Sequence, residues 1–166
     1  GVVMGEVIDS GSPAYKPGDR VMGLGTWSDY CRVPAAAVQP CAEIPGIPAE
    51  EVFGIYMVVG PTAYFGVVDI GQPKIGETLV VSGAAGAVGA LAGQIAKAQG
   101  CRVIGIAGGK KKCISIVDEL GFDAAIDYKS EDVSAALRKL CPEGVDVYFD
   151  NVGGTILDAV LAQMNL

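Results

Sequence analysis

The stretch that decides the fold runs Thr78-Leu-Val-Val-Ser-Gly-Ala-Ala-Gly-Ala-Val-Gly-Ala-Leu-Ala-Gly-Gln-Ile-Ala-Lys-Ala-Gln99. Thr78–Ser82 reads as a short apolar strand of the kind a sheet covered on both faces requires. Ala87–Gln99, rich in Ala, Leu and Ile, reads as a helix. Between them lie only small residues. Read against G-x-G-x-x-G between a strand and a helix, the key positions fall at Ala84, Gly86 and Gly89. Gly86 lets backbone approach a pyrophosphate, and Gly89 lets the helix pack closely on the strand. The N–H groups that open the helix, at Ala87 and Val88, are free to hold phosphate oxygens. Alanine at the first position departs from the strict fingerprint, and close packing alone also produces small-residue helices. The surrounding βα rhythm is what favours a dinucleotide site.

Downstream the rhythm continues. Arg102–Ile106 reads as a strand and Lys110–Leu120 as a helix ended by Gly121. Ala124–Ile126 is a strand, Glu131–Leu140 a helix, Val145–Phe149 a strand, and Thr155–Leu166 a helix. Alternating βα units with apolar strands imply an α/β fold, a parallel doubly wound (Rossmann) sheet. With four strands it is partial. Upstream, residues 1–60 read as an irregular β piece, with strands at Val2–Ile8, Arg20–Met22, Ser28–Val33 and Ala42–Ile44. Lys16-Pro-Gly-Asp19 is a turn. Pro61 to about Val68 reads as a helix leading into a turn at Asp69–Gly76.

Bulk properties narrow the function. A net charge of −7 over 166 residues disfavours nucleic acid and anionic membrane as partners. Thr78–Ala96 is uncharged and nearly long enough to span a bilayer, but its glycines and strand-like opening suit a soluble unit better. Five scattered cysteines, odd in number and without a C-x-x-C pair, read as reduced thiols of a cytoplasmic protein. The chain has no histidine, so imidazole chemistry is excluded for this stretch.

The second strand selects the dinucleotide. NAD sites place an Asp or Glu about 20 residues beyond the glycines, on the ribose hydroxyls. Here no acid occurs between Gly89 and Asp118, and Arg102–Ile106 leads into Ala107-Gly108-Gly109-Lys110-Lys111-Lys112. A 2′-phosphate is repelled by a carboxylate and attracted by ammonium groups at a helix start. The expected cofactor is therefore NADP(H), although Lys110 and Lys111 also suit a plain solvated helix face.

With these residues placed, the chain resembles the zinc-free double-bond reductases of the medium-chain dehydrogenase/reductase superfamily. That branch holds leukotriene B4 12-hydroxydehydrogenase/prostaglandin reductase and the alkenal and curcumin-type reductases. The matching stretches are Lys16-Pro-Gly-Asp-Arg-Val21, Thr62-Ala-Tyr-Phe-Gly66, Val81–Gly89, Gly121-Phe-Asp-Ala-Ala-Ile-Asp-Tyr128 and Asp146-Val-Tyr-Phe-Asp-Asn-Val-Gly-Gly154. The resemblance implies that residues 1–60 are the C-terminal part of a GroES-like catalytic domain. Residues 61–166 are then the N-terminal part of a Rossmann NADP-binding domain. Members of the branch are about twice as long, so the chain reads as a middle section.

The resemblance also implies roles. Gly86, Ala87, Val88 and Gly89 match the pyrophosphate turn, and Gly109 precedes the lysine run. Lys112 matches a lysine on the 2′-phosphate, Tyr128 a tyrosine beside it, and Asn151 an asparagine near the cofactor. On their own residues, Tyr128 reads equally as a half-buried strand-end tyrosine and Asn151 as a turn residue. Zinc is not expected. Met22–Trp27 leaves no room for the four-cysteine lobe of zinc-dependent relatives, and Val58 stands where they carry a cysteine ligand. Tyr56-Met-Val-Val-Gly-Pro-Thr62 departs from the branch's usual L-G-M-P-G-L-T, a segment near the nicotinamide in relatives, which leaves the substrate open.

The expected reaction is zinc-independent hydride transfer from NADPH to the β-carbon of a small-molecule α,β-unsaturated ketone or aldehyde. Quinone reduction and non-catalytic NADPH binding of a crystallin-like kind are the alternatives. No catalytic residue is assigned within the chain. A monomer and a homodimer are both compatible with the residues.

Overall fold

The computed structural model describes residues 1–165. They form two compact units, Gly1–Met57 and a second beginning at Val58.

In the first unit, β1 (Val2–Glu6), β2 (Arg20–Leu24) and β3 (Val38–Pro40) make an antiparallel sheet in the order β1-β2-β3. Val2 faces Leu24 and Glu6 faces Arg20. The expected turn is present, with Asp19 Oδ2 accepting the Lys16 N–H at 2.8 Å. Two expected strands are not. Ser28–Val33 is irregular because hydroxyls claim its local polar groups: Ser28 Oγ meets Thr26 Oγ1 and donates to the Tyr30 carbonyl, each at 2.8 Å. Ala42–Ile44 is also irregular, and the strand lies just upstream at Val38–Pro40, where Gln39 faces Met22.

The helical run Ala49–Gly71 is much longer than the expected Pro61–Val68. It comprises α1 (Ala49–Gly54), a π-type stretch at Ile55–Val59, α2 (Gly60–Tyr64) and a second π-type stretch at Phe65–Gly71. The expected helix start, Pro61, lies inside this run. Pro61 is tolerated because it lies in the first turn of α2, where a missing N–H costs little. The run ends where Gln72 turns left-handed at φ 45°. Among the described residues it is the one helix long and apolar enough, by length and composition, to cross a membrane.

The second unit carries the expected βα alternation. It runs β4 (Thr78–Ser82), α3 (Ala87–Ala98), β5 (Arg102–Ala107), α4 (Lys110–Asp118) and β6 (Ala124–Asp127), then α5 (Val133–Leu140), β7 (Val147–Phe149) and α6 (Gly154–Leu161). The sheet is parallel, in the order β6-β5-β4-β7. α5 starts two residues later than expected because Asp132 caps it, accepting the Ala135 N–H at 2.7 Å. The last helix runs Gly154–Leu161 rather than from Thr155 to Leu166, and Leu166 itself lies outside the described residues.

Side chains of the central strands alternate between two cores. Leu79, Val81 and Val103 face one, with Ala92, Ala96 and Ile116. Val80, Ile104 and Ile106 face the other, with Leu137, Ile156 and Val160. Aspartates bracket both outer strands. Around β6, Asp123 Oδ2 accepts the Val103 N–H at 2.7 Å, and Asp127 Oδ1 accepts the Gly109 N–H at 2.7 Å. Around β7, Asp146 Oδ2 accepts the Thr78 N–H and Asp150 Oδ1 the Ser82 hydroxyl, both at 2.8 Å.

Candidate functional site

The residues singled out from the sequence gather at the carboxyl ends of the parallel strands, and β7 joins β4 on the side away from β5. In open parallel sheets the crevice at such a change of direction is where ligands bind. Gly83 leaves β4 left-handed at φ +60°. Its carbonyl accepts the Gly86 N–H at 2.9 Å, and Gly86 then opens α3 without a side-chain cap. The tight turn assigned to Ala84 is thus made one residue earlier, at Gly83, while Ala84 is fully buried. This is why alanine is tolerated there.

Gly89 answers a harder constraint. A Cβ at that position would lie 2.5 Å from the Gly83 carbonyl oxygen and 3.0 Å from Ala84 Cα. Both are backbone atoms, so nothing can rotate away, and only glycine fits. Ala85, Gly86 and Ala87 are exposed, leaving the first turn of α3 open to a ligand. The result is an uncapped helix start beside a close backbone approach.

Asn151 belongs to this first cluster. Its side-chain amide donates to the Ser82 carbonyl and its backbone N–H to Ser82 Oγ, each at 2.8 Å. Ser82, fully buried, donates its own hydroxyl hydrogen bond to Asp150. Asp150 Oδ1 also accepts from the Tyr148 hydroxyl at 2.8 Å and from the N–H groups of Val152 and Gly153 at 3.0 Å. Burial opposes the Asp150 charge, but these donors outweigh it and hold the carboxyl down at about 2. Burial, together with the Asp150 carboxylate, pushes the Tyr148 phenol up. Neither Ser82 nor Asp150 was singled out in sequence. A serine ending β4 and an aspartate ending β7 were the available signal.

The second cluster lies where β5 and β6 end. Gly109 opens α4 at φ +102°, again without a side-chain cap, and Lys110, Lys111 and Lys112 are exposed. Tyr128, 45% exposed, lies across Gly108: a Cβ there would meet the phenol oxygen at 2.6 Å. The structure thus brings Tyr128 onto the turn that launches the lysine run. Asp127, also missed in sequence, lies beneath it. Gly109 N–H, then Lys129 N–H, donates to this carboxylate and holds it below the usual range. A groove of about 470 Å³ runs beside this cluster, lined by Lys110, Cys113, Ile114, Asp127 and Glu131 among others. None of residues 83–89 lines it.

The family profile described as "Zinc-binding dehydrogenase" matches residues 87–165. The chain is 44% identical to the NADPH-dependent curcumin reductase of Escherichia coli over 165 residues, 99% of this chain and 48% of that protein. It is 43% identical to the 2-alkenal reductase (NADP+-dependent) of Nicotiana tabacum, covering all of this chain and 49% of that one. The crystal structure of CurA from Vibrio vulnificus in complex with NADPH superposes with a TM-score of 0.89 at 43% identity, over 99% of this chain and 49% of CurA. The chain resembles the medium-chain dehydrogenase/reductase superfamily in sequence and in fold. Its likeness falls in the alkenal and curcumin reductase branch. The chain spans about half the length of the curated relatives of that superfamily it matches.

All five cysteines are free thiols, and Cys31 is the exposed one. Among the described residues no group of three or more His, Cys, Asp or Glu is placed to hold a metal ion.

Proposed function

We propose that the protein reduces the conjugated C=C bond of small α,β-unsaturated ketones or aldehydes with NADPH and without zinc. Residues 1–60 are read as part of its GroES-like domain and residues 61–166 as part of its NADP-binding domain. The observation that carries the proposal is likeness over almost the whole chain to relatives named for curcumin and alkenal reduction. The cradle fits the cofactor: Ala87 and Val88 open α3 without a side-chain cap on their N–H groups, beside Gly89, where a Cβ would collide.

When bound, NADPH supplies a hydride for the β-carbon. The chain's own residues bind and orient. The turn at Gly86–Gly89 takes the pyrophosphate. Lys112 and Tyr128 take the 2′-phosphate, where an acid on β5 would have repelled it. Asn151, exposed beside the end of β4 and held there by Ser82, lies near the cofactor. Val58, at the position of a zinc ligand in zinc-dependent relatives, offers no metal-binding atom.

The test is NADPH oxidation by the full-length protein with a conjugated enone, a quinone and a simple ketone offered separately. Turnover of the enone, with the saturated ketone as product and no zinc in the purified protein, is the expected result. Reaction with quinones alone would favour the quinone oxidoreductase line, to which the chain is similar at 28% identity with a TM-score of 0.77 in the Escherichia coli enzyme. Binding of NADPH without turnover of any of them would favour a non-catalytic role.

A further inference from the structure

Asp127 is the single charged side chain in the buried class among the described residues, at 8% exposure. A buried carboxylate is costly unless its oxygens are satisfied. Here one oxygen, Oδ1, accepts both the Gly109 N–H at 2.7 Å and the Lys129 N–H at 3.0 Å. The backbone of Asp127 is held in turn, its N–H donating to Glu131 Oε1 at 2.8 Å. Gly109 is the uncapped entry to α4, so this bond is what ties the start of the lysine run to the end of β6. Two further contacts join the same parts: the Tyr128 N–H donates to the Ala107 carbonyl at 3.2 Å, and the Tyr128 ring covers Gly108.

Two consequences follow. The Gly109 N–H is taken by Asp127 and is not free for a ligand phosphate, leaving the charge of the lysines and the Tyr128 hydroxyl for that task. The carboxylate also faces backbone donors, so it need not repel a phosphate on the other side of the turn. We propose that Asp127 is the positioning residue of the 2′-phosphate end of the site. By gripping Gly109 it sets Lys112 and Tyr128 as a pair that favours a 2′-phosphorylated adenosine over a plain one. This rests on the reading of Lys112 and Tyr128 given above.

The test uses the full-length protein and calorimetric titration with two probes, 2′,5′-ADP and 5′-AMP, beside KM and kcat with NADPH and NADH. Asp127→Ala is expected to weaken 2′,5′-ADP binding about tenfold, the scale of one hydrogen bond to a charged group, with 5′-AMP binding and kcat little changed. Asp127→Asn keeps an oxygen that can take both N–H groups and is expected to restore the preference. Gly109→Ala disturbs the same bond from its donor side and is expected to behave like Asp127→Ala, and it carries the test if the latter does not fold. Equal weakening of both probes, or no change in either, overturns the proposal. Loss of preference in Lys112→Ala with retention in Asp127→Ala overturns the positioning role alone. Retention in both also overturns the reading on which it rests.

Discussion

Ser82 does more than end a strand. Its hydroxyl donates to Asp150 and accepts from Asn151, so one buried oxygen joins the end of β4 to the loop after β7. Removing it strands the Asn151 N–H, and Ser82→Ala is expected to cost roughly 1–3 kcal/mol in urea unfolding. Asp150 gives a pH signature. Its folded value, about 2, lies below the ordinary 3.8, so its contribution is complete above the ordinary value and disappears as pH falls through the folded one. Thermal melting is therefore expected to drop between about pH 4 and pH 2, and Asp150→Asn should flatten that drop while lowering the melting temperature at pH 7. An unchanged acid profile in the variant would mean that other carboxylates govern acid unfolding.

At the level of elements, the second unit was legible because its strands are nearly unbroken apolar runs punctuated by glycines and separated by helix-length segments. The first unit was legible only in part: β1, β2 and the turn at Lys16–Asp19 fall where expected, and two further strands do not. Ser28–Val33 has strand-like residues, but its hydroxyls bond locally, and propensity carries no information about which neighbour a strand finds. The helical run at 49–71 was legible only over Pro61–Val68, because the π-type stretches on either side of α2 blur the α-helical period of its apolar residues. In the site, Gly86, Gly89 and the lysine run were readable from spacing. Asp127 and Ser82 were not, because their roles depend on neighbours 18 and 68 residues away. The element most exposed to test is the start of α3. Gly89→Ala forces the helix off Gly83, and is expected to weaken NADPH binding by the full-length protein at least tenfold, with a stability loss of about 1–3 kcal/mol. Tight binding by a folded Gly89→Ala protein would place the pyrophosphate elsewhere.

For the molecule as a whole, thiol chemistry offers an inexpensive check of burial. Burial raises the thiols of Cys41, Cys101, Cys113 and Cys141, whereas Cys31 is exposed. Since thiolate is the reactive form, native protein at neutral pH should show one fast-labelling thiol, at Cys31, with the rest released on unfolding. Peptide mapping that finds Cys101 or Cys141 labelled first would contradict the packing. The run Ala49–Gly71 points the same way by contrast. Only 17% of its most apolar window is buried, and Ile55, Tyr56, Tyr64, Phe65 and Ile70 are exposed. The native protein is therefore expected to bind a hydrophobic dye through this run, and replacing Ile55, Phe65 and Ile70 with polar residues should lower the dye fluorescence.

The bracketing aspartates also bear on how the chain reaches its folded state. β5 and β6 each lie beside the strand that precedes them, one helix away, but β7 must find β4 across 68 residues. Parallel pairing at that separation closes slowly, so the docking of β7 is expected to come late in folding. A shift of one residue in its register would turn Val147 and Phe149 to the opposite face and break the grips of Asp146 and Asp150 together. The two carboxylates thus favour the native alignment, because a misregistered β7 forfeits both bonds at once.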